Sequence, residues 1–156
     1  MISLAKLVCT VDFSSTSRLA FDYAATLAQK FSAELVVLHV IEEVPLLTAY
    51  AGHAEVDELR HAEDSARTQL AAWLQSAGSE GIKIRVEISR GMTEDSIVEF
   101  CEREKTDMLI MGTHGRRFLD AALFGSVTHR VIRRVSCPGL LVRLPAGGAA
   151  YEAVRK

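Results

Sequence analysis

The sequence predicts an α/β domain built on one open, five-stranded parallel sheet with helices on both faces. Three observations carry this. Short apolar runs alternate with longer segments of helical periodicity, giving five strand segments separated by four helical ones. The runs from Leu35 to Ile41 and from Met108 to Met111 are near-continuously apolar, the pattern of parallel strands covered on both faces. No internal repeat and no second core is visible in 156 residues, a length that suits one domain with a proper core.

The first strand is expected within Leu4 to Val11. It ends at Asp12-Phe13-Ser14-Ser15-Thr16, a run rich in helix-capping residues. The first helix follows, with Leu19, Tyr23, Leu27 and Phe31 spaced as one apolar row and Ala20, Ala24 and Ala28 beside them. Tyr23 and, in the next helix, Trp73 read as packing residues. Ala33 to Ile41 is the second strand, so the chain opens as a strand–helix–strand crossover. Glu42 to His53 lacks periodicity, contains Pro45 and Gly52, and reads as a loop. The second helix starts near Ala54 and places Val56, Leu59, Ala62, Ala66, Leu70, Trp73 and Leu74 inward. Gly78 and Gly81 bracket its end.

Ile82 to Ile88 alternates apolar and polar residues, which places the third strand at or near a sheet edge. Gly91 to Asp95 is a turn and a helix start, with Thr93 as N-cap and two acids suited to a first helical turn. Ile97, Val98 and Cys101 then face inward. The fourth strand is Met108 to Met111. A fourth helix carries Val127, Val131, Ile132 and Val135, and Leu140 to Val142 is the last strand. Residues 1–145 form the domain, and 146–156 read as a frayed tail.

The totals exclude some classes. A net charge of −2 gives no electrostatic case for nucleic acid or an anionic membrane. Cys9, Cys101 and Cys137 are odd in number and far apart, so no zinc or dithiol motif is supported, and buried inert thiols in a reducing compartment are expected. There is no signal-peptide pattern and no apolar run of transmembrane length. The expected location is cytoplasmic.

The stretch from Gly112 to Val127 organises the functional reading. A strand runs into Gly112-Thr-His-Gly115, then nine residues, then Gly125-Ser126-Val127 at a helix start. Glycines permit close backbone approach, and helix N-termini offer unpaired N–H groups, so the stretch suits phosphate. On spacing alone, a loop that needs glycines for its turns, with Ser126 capping its own helix, fits equally. The pattern is neither a Walker A loop nor a dinucleotide fingerprint. Open parallel sheets bind ligands outside the carboxyl ends of their strands, where strand order reverses. Asp12 and Gly112 both sit at such ends.

Val-Asp-Phe-Ser at the first strand's end, Leu38-His-Val-Ile41, Leu109-Ile-Met-Gly-Thr-His-Gly115, Phe124-Gly-Ser-Val-Thr128 and the Cys-Pro-Gly-Leu-Leu-Val ending together resemble the universal stress protein family, in its ATP-binding branch. The resemblance runs from about Ser3 to Pro145. It implies an adenine-nucleotide alpha-hydrolase-like fold with strand order 3-2-1-4-5. It implies ATP, or ADP or AMP, as ligand, with Mg²⁺ bridging the phosphates. Asp12 would recognise the adenosine end, the Val40 backbone would contact adenine, and Met111 and Gly112 would flank the ribose. Gly115, Gly125, Ser126 and Val127 would hold the phosphates. It also implies a homodimer through the last strand, Leu140 to Leu144, which agrees with the need to cover an apolar edge. The chain departs from the family's frequent Gly-x-Pro after the third strand, having Gly91-Met92-Thr93 instead.

Single residues keep competing readings. Asp12 is a ligand contact or a cap and turn residue. Arg116 and Arg117 neutralise phosphate or sit in a solvated loop. His114 contacts phosphate or is an exposed loop residue. His39 reads as a satisfied core residue and His129 as peripheral. No nucleophile elbow, metal-ligand cluster or Walker lysine is present, so a catalytic constellation is not evident. Three functions follow: an ATP-binding regulatory protein with a partner protein yet to be identified, a weak ATPase or nucleotidyl-transfer enzyme on the same fold, or a dimeric scaffold with a vestigial pocket.

Overall fold

The computed structural model of the protein describes residues 2–43, 53–76, 81–113 and 125–144. Its strands are β1 (Lys6–Thr10), β2 (Glu34–Glu42), β3 (Ile84–Gly91), β4 (Met108–Gly112) and β5 (Gly139–Val142). Its helices are α1 (Ser15–Phe31), α2 (His53–Ser76), α3 (Thr93–Glu104) and α4 (Ser126–Ile132). The five strands form one sheet in the order β3-β2-β1-β4-β5, and every pairing is parallel. The expected order and the edge position of the third strand are both present.

Strand alternation divides the core in two. Leu7, Cys9, Leu35, Val37 and Ile110 point to one face, where α1 and Leu70 of α2 cover them. Val8, Val36, Leu38, Leu109 and Met111 point to the other face, against Ile97, Val98, Phe100 and Cys101 of α3 and Val131 of α4. Successive residues serve opposite layers, which is why these runs are continuously apolar in sequence. Cys9 and Cys101 are buried and Cys137 is half-buried, all as free thiols. Burial pushes the Cys101 thiol up to about 12, and raises Cys9 further still, so neither ionises readily.

α1 starts where Ser14, as N-cap, accepts from the backbone N–H of Ser17 at 3.1 Å. It ends at Ser32, whose left-handed conformation (φ 53) lets its N–H reach the last-turn carbonyls. Its inner face keeps half of the expected row: Leu19 is buried and Leu27 packs against the core, beside the expected alanines. Ala20, Ala24, Ala25 and Ala28 with Phe21 are buried, whereas Tyr23 is 49% and Phe31 51% exposed. The Leu19 row lies one residue, about 100°, round the helix from the alanine row. Small side chains let the helix sit close on the sheet, so the alanine row turns inward and Tyr23 turns out. Tyr23 is therefore not a packing residue. Trp73 is, being half-buried against the core.

α3 also differs from expectation. Its N-cap is Met92, with extended backbone and no side-chain capping bond, and Thr93 is already the first helical residue. Gly91 has φ +130, a conformation that favours glycine, and this turn sets the helix start without a capping hydroxyl. Glu94 and Asp95 occupy the first turn as expected. They bind α4 and the turn after it: Arg130 donates to Glu94 at 2.6 Å and Arg134 to Asp95 at 2.6 Å. β3 runs three residues beyond its expected end, to Gly91, because β2 offers pairing partners up to Glu42. The tail from 146 and most of the expected loop between β2 and α2 lie outside the described residues.

Candidate functional site

The carboxyl end of β1 lies between those of β2 and β4. From β1 the chain leaves to α1 on one face, and from β4 it leads to α4 on the other. The strand order thus reverses beside β1, the position at which open parallel sheets bind ligands.

Two parallel strands share their hydrogen bonds by residue parity. Glu34 N–H donates to Ala5 and Leu38 C=O accepts from Val11, so even residues of β2 face β1. Leu35 N–H donates to Lys83 and Glu43 N–H to Gly91, so odd residues face β3. Val40 therefore turns its N–H and C=O toward β1. But the β1 ladder ends at Thr10, paired with Leu38. Among the described residues, no backbone hydrogen bond fills the Val40 edge. Its side chain packs on the α3–α4 face, as does that of Val127.

Asp12 begins the turn into α1. Its Oδ1 accepts from the Ser14 N–H at 3.0 Å and from the Ser14 hydroxyl at 2.5 Å. Ser14, not Asp12, caps the helix. Asp12 thus braces the cap residue with one oxygen, and its second oxygen makes no hydrogen bond among the described residues. Phe13 then adopts φ 63, unusual for a residue with a bulky side chain. That turn lays its ring 4.7 Å from His39 and 5.5 Å, edge-on, from Trp73. Arg18 covers the other ring, its guanidinium 5.3 Å from the Trp73 centroid. His39 Nδ1 lies 2.7 Å from the Val11 carbonyl oxygen.

On the β4 side, Gly112 is set by close packing. A Cβ there would lie 3.0 Å from Thr16 Cγ2 and 3.1 Å from the Ser17 nitrogen, at the first turn of α1. Continuing the register Cys9↔Ile110 brings Gly112 level with Val11. The Thr128 hydroxyl donates to the Gly112 carbonyl at 3.0 Å, and the Gly125 N–H to the Thr113 carbonyl at 2.7 Å. These bonds dock the start of α4 onto the end of β4. Gly125 is its N-cap, and Ser126 is the first helical residue without a side-chain capping bond. Ser126 therefore does not cap its own helix. Its hydroxyl and the first-turn N–H groups of Ser126 and Val127 lie outside the intrahelical ladder.

The structure thus brings Asp12, Val40, Gly112, Gly125, Ser126 and Val127 to the carboxyl ends of neighbouring strands. Met111 is close in sequence, but its side chain is 3% exposed and faces the α3–α4 core, leaving only its backbone for a ligand. Gly115, Arg116, Arg117 and His114 lie outside the described residues. His129 is exposed, as expected of a peripheral residue. His39 is half-buried and bonded, so it is a satisfied residue, though near the carboxyl end of β2 rather than deep in the core. Phe13 and Thr128 were not singled out from sequence. Both stood within quoted motifs, Val-Asp-Phe-Ser and Phe-Gly-Ser-Val-Thr, but the positive φ of Phe13 leaves no sequence signal. Among the described residues, no three His, Cys, Asp or Glu side chains cluster as a metal site, and no helix is long and apolar enough to cross a membrane.

Comparison with known proteins agrees with this architecture. Residues 4–143 match the universal stress protein family model. A universal stress protein of Methanocaldococcus jannaschii, MJ0531, is 34% identical over 142 residues, covering 90% of this chain and 82% of that protein. The solved structure of MJ0577, described as a structure-based assignment of biochemical function, superposes with a TM-score of 0.82 at 27% identity, over 92% of this chain and 99% of that one. A universal stress protein solved in complex with cAMP superposes with a TM-score of 0.59 at 25% identity, over 90% and 97% of the two chains. With the family model spanning nearly the whole described sheet and its helices, this chain belongs to the universal stress protein family.

Proposed function

We propose that the protein is an adenine-nucleotide-binding regulatory protein whose ligand lies at the carboxyl ends of β1 and β4. The observation that carries this reading is the open Val40 edge. An N–H donor beside a C=O acceptor complements the N1 acceptor and the N6 amino donor of adenine. Guanine in the same orientation presents a donor and an acceptor in the opposite sense, so the edge selects adenine. The relative solved in complex with cAMP supports an adenine ligand in this family.

In this reading the free oxygen of Asp12 accepts from a ribose hydroxyl, and the backbone of Met111 and Gly112 borders the sugar. Gly115, Gly125, Ser126 and Val127 hold phosphate through N–H groups and the serine hydroxyl, and Arg116 adds charge. ATP, ADP and AMP share the adenosine contacts. Mg²⁺ would bridge the phosphates of the longer two, held by them more than by protein carboxylates. In this reading these groups bind and orient the nucleotide through N–H groups, a hydroxyl and charge, so the site acts as a holder. Among the described residues β5 pairs with β4 on one side only, and it carries half-buried Leu140 and Leu141, so a homodimer through residues 140–144 would cover that edge. A partner protein would read the nucleotide state.

Titration calorimetry with ATP, AMP and GTP tests the reading. ATP and AMP should bind and GTP bind at least about tenfold more weakly, a difference of one well-placed hydrogen bond. Gly125→Val should weaken ATP far more than adenosine. Equal affinity for ATP and GTP, or no binding at millimolar concentration, would refute it.

A further inference from the structure

We infer that His39 is a positioning residue that keeps the Val40 edge open for a base, by holding the Val11 carbonyl on the imidazole and away from the rung that would otherwise close it. The inference rests on the proposed nucleotide reading for its ligand, but its structural half stands alone.

The parity of β2 sets the argument. Val11 N–H donates to Leu38 C=O at 2.9 Å, the last rung between β1 and β2. One further rung of a parallel ladder would run from Val40 N–H to Val11 C=O. That rung is absent. The Val11 carbonyl is taken instead by His39 Nδ1 at 2.7 Å. A carbonyl oxygen only accepts, so Nδ1 carries the proton and the ring donates. The side chain of the residue beside Val40 thus replaces the backbone bond that Val40 would make.

The ring is held in place. His39 is an odd residue of β2, so its side chain points to the α1–α2 face. There Phe13 packs on it at 4.7 Å, and Trp73 abuts Phe13 at 5.5 Å. The unusual φ of 63 at Phe13 delivers its ring to this position. Phe13 and Trp73 are therefore a wall behind His39, and the turn that presents Asp12 also orients the imidazole. One turn of chain then sets two parts of the site: the Asp12 carboxylate and the vacancy at Val40.

Two substitutions separate this role from general packing. In His39→Asn the amide nitrogen takes the place of Nδ1 and can still donate to Val11. In His39→Leu no donor remains, the Val11 carbonyl is released and the extra rung can form. Both lose the imidazole ring, so packing losses are shared. Amide hydrogen exchange at Val40, read by NMR in the nucleotide-free protein, reports the rung directly. AMP affinity by calorimetry reports its consequence. The Val40 amide should exchange as an unpaired amide in the wild type and in His39→Asn, and at least about tenfold more slowly in His39→Leu. AMP affinity should fall about tenfold in His39→Leu and stay within about threefold in His39→Asn. Equal Val40 exchange in wild type and His39→Leu, or equal behaviour of the two variants, would overturn the role. A wild-type chain that binds no adenine nucleotide would refute the proposed function, while the exchange comparison would still decide whether His39 controls the edge.

Discussion

The Thr128 hydroxyl donates to the Gly112 carbonyl across 3.0 Å, tying the first turn of α4 to the last residue of β4. Thr128 is 5% exposed, so the bond is shielded from water. Thr128→Val keeps the shape, removes the donor and leaves a carbonyl unsatisfied. We predict a loss of about 1–2 kcal/mol in urea unfolding, with Thr128→Ser losing clearly less. Equal losses would show that the methyl group, not the bond, holds the helix.

Gly112 and Gly139 make a sharper pair. A Cβ on Gly112 would meet Thr16 Cγ2 at 3.0 Å and backbone atoms of Thr16 and Ser17 at 3.1 Å. Backbone at a capped helix start cannot step aside. A Cβ on Gly139 would instead overlap Ile132 Cδ1, the far end of a flexible side chain. Gly112→Ala should cost about 1–3 kcal/mol and Gly139→Ala less, as the isoleucine changes rotamer. Thermal unfolding of the two variants checks the order. A larger loss at Gly139 would show that Ile132 is locked.

The acid limb of stability follows from carboxylates that gain partners on folding. The hydrogen bond from Arg130 holds the Glu94 carboxyl below its usual range, and that from Lys6, with Arg85, does the same for Glu104. A lowered folded value means that the stabilisation is full above the unfolded carboxylate pKa of about 4.3. It is lost as pH falls through the lower folded value. Stability should therefore be flat in these groups near neutrality and decline below about pH 4. Arg130 is 60% exposed, so screening limits the Glu94 share to about 0.5–1 kcal/mol. Glu94→Gln should narrow the stability gap between pH 7 and pH 3 by that amount in urea titrations. An unchanged gap would assign the acid sensitivity to other carboxylates.

Asp12 separates turn from ligand. Asp12→Asn keeps an acceptor for Ser14 but removes the charge, whereas Asp12→Ala removes both. Asn should leave the melting temperature nearly unchanged and weaken AMP about tenfold. Ala should lower stability by about 1 kcal/mol as well. If Asn binds AMP as tightly as the wild type, Asp12 serves the turn alone.

The sheet was legible in sequence because its strands are short, continuous apolar runs that must be covered on both faces. The order 3-2-1-4-5 came from family resemblance; periodicity alone required only that strands one and four be neighbours to share a site. The helix faces were less legible. Leu19, Tyr23, Leu27 and Phe31 look like an inner row, and Leu19 and Leu27 do face the core, but close approach to the sheet favours the alanines beside them, and the aromatics at positions 23 and 31 are turned outward. Thr93 looked like a cap because it is a capping residue type, yet the positive φ of Gly91 sets the turn. In the site, Asp12 and Gly112 could be placed from strand ends. The vacancy at Val40 could not, since it depends on where β1 stops pairing and on a histidine ring taking a backbone partner's role.

The central claim is that adenine nucleotide binds at the Val40 edge beside the end of β4. Chemical-shift mapping of the labelled protein during titration with AMP tests it most directly. The account predicts saturable shifts at the amides of Val40, Asp12, Gly112, Ser126 and Val127, with the Val40 amide moving downfield as it donates to the base. Saturable binding with shifts confined to other surfaces, or no shift at millimolar AMP, would contradict it.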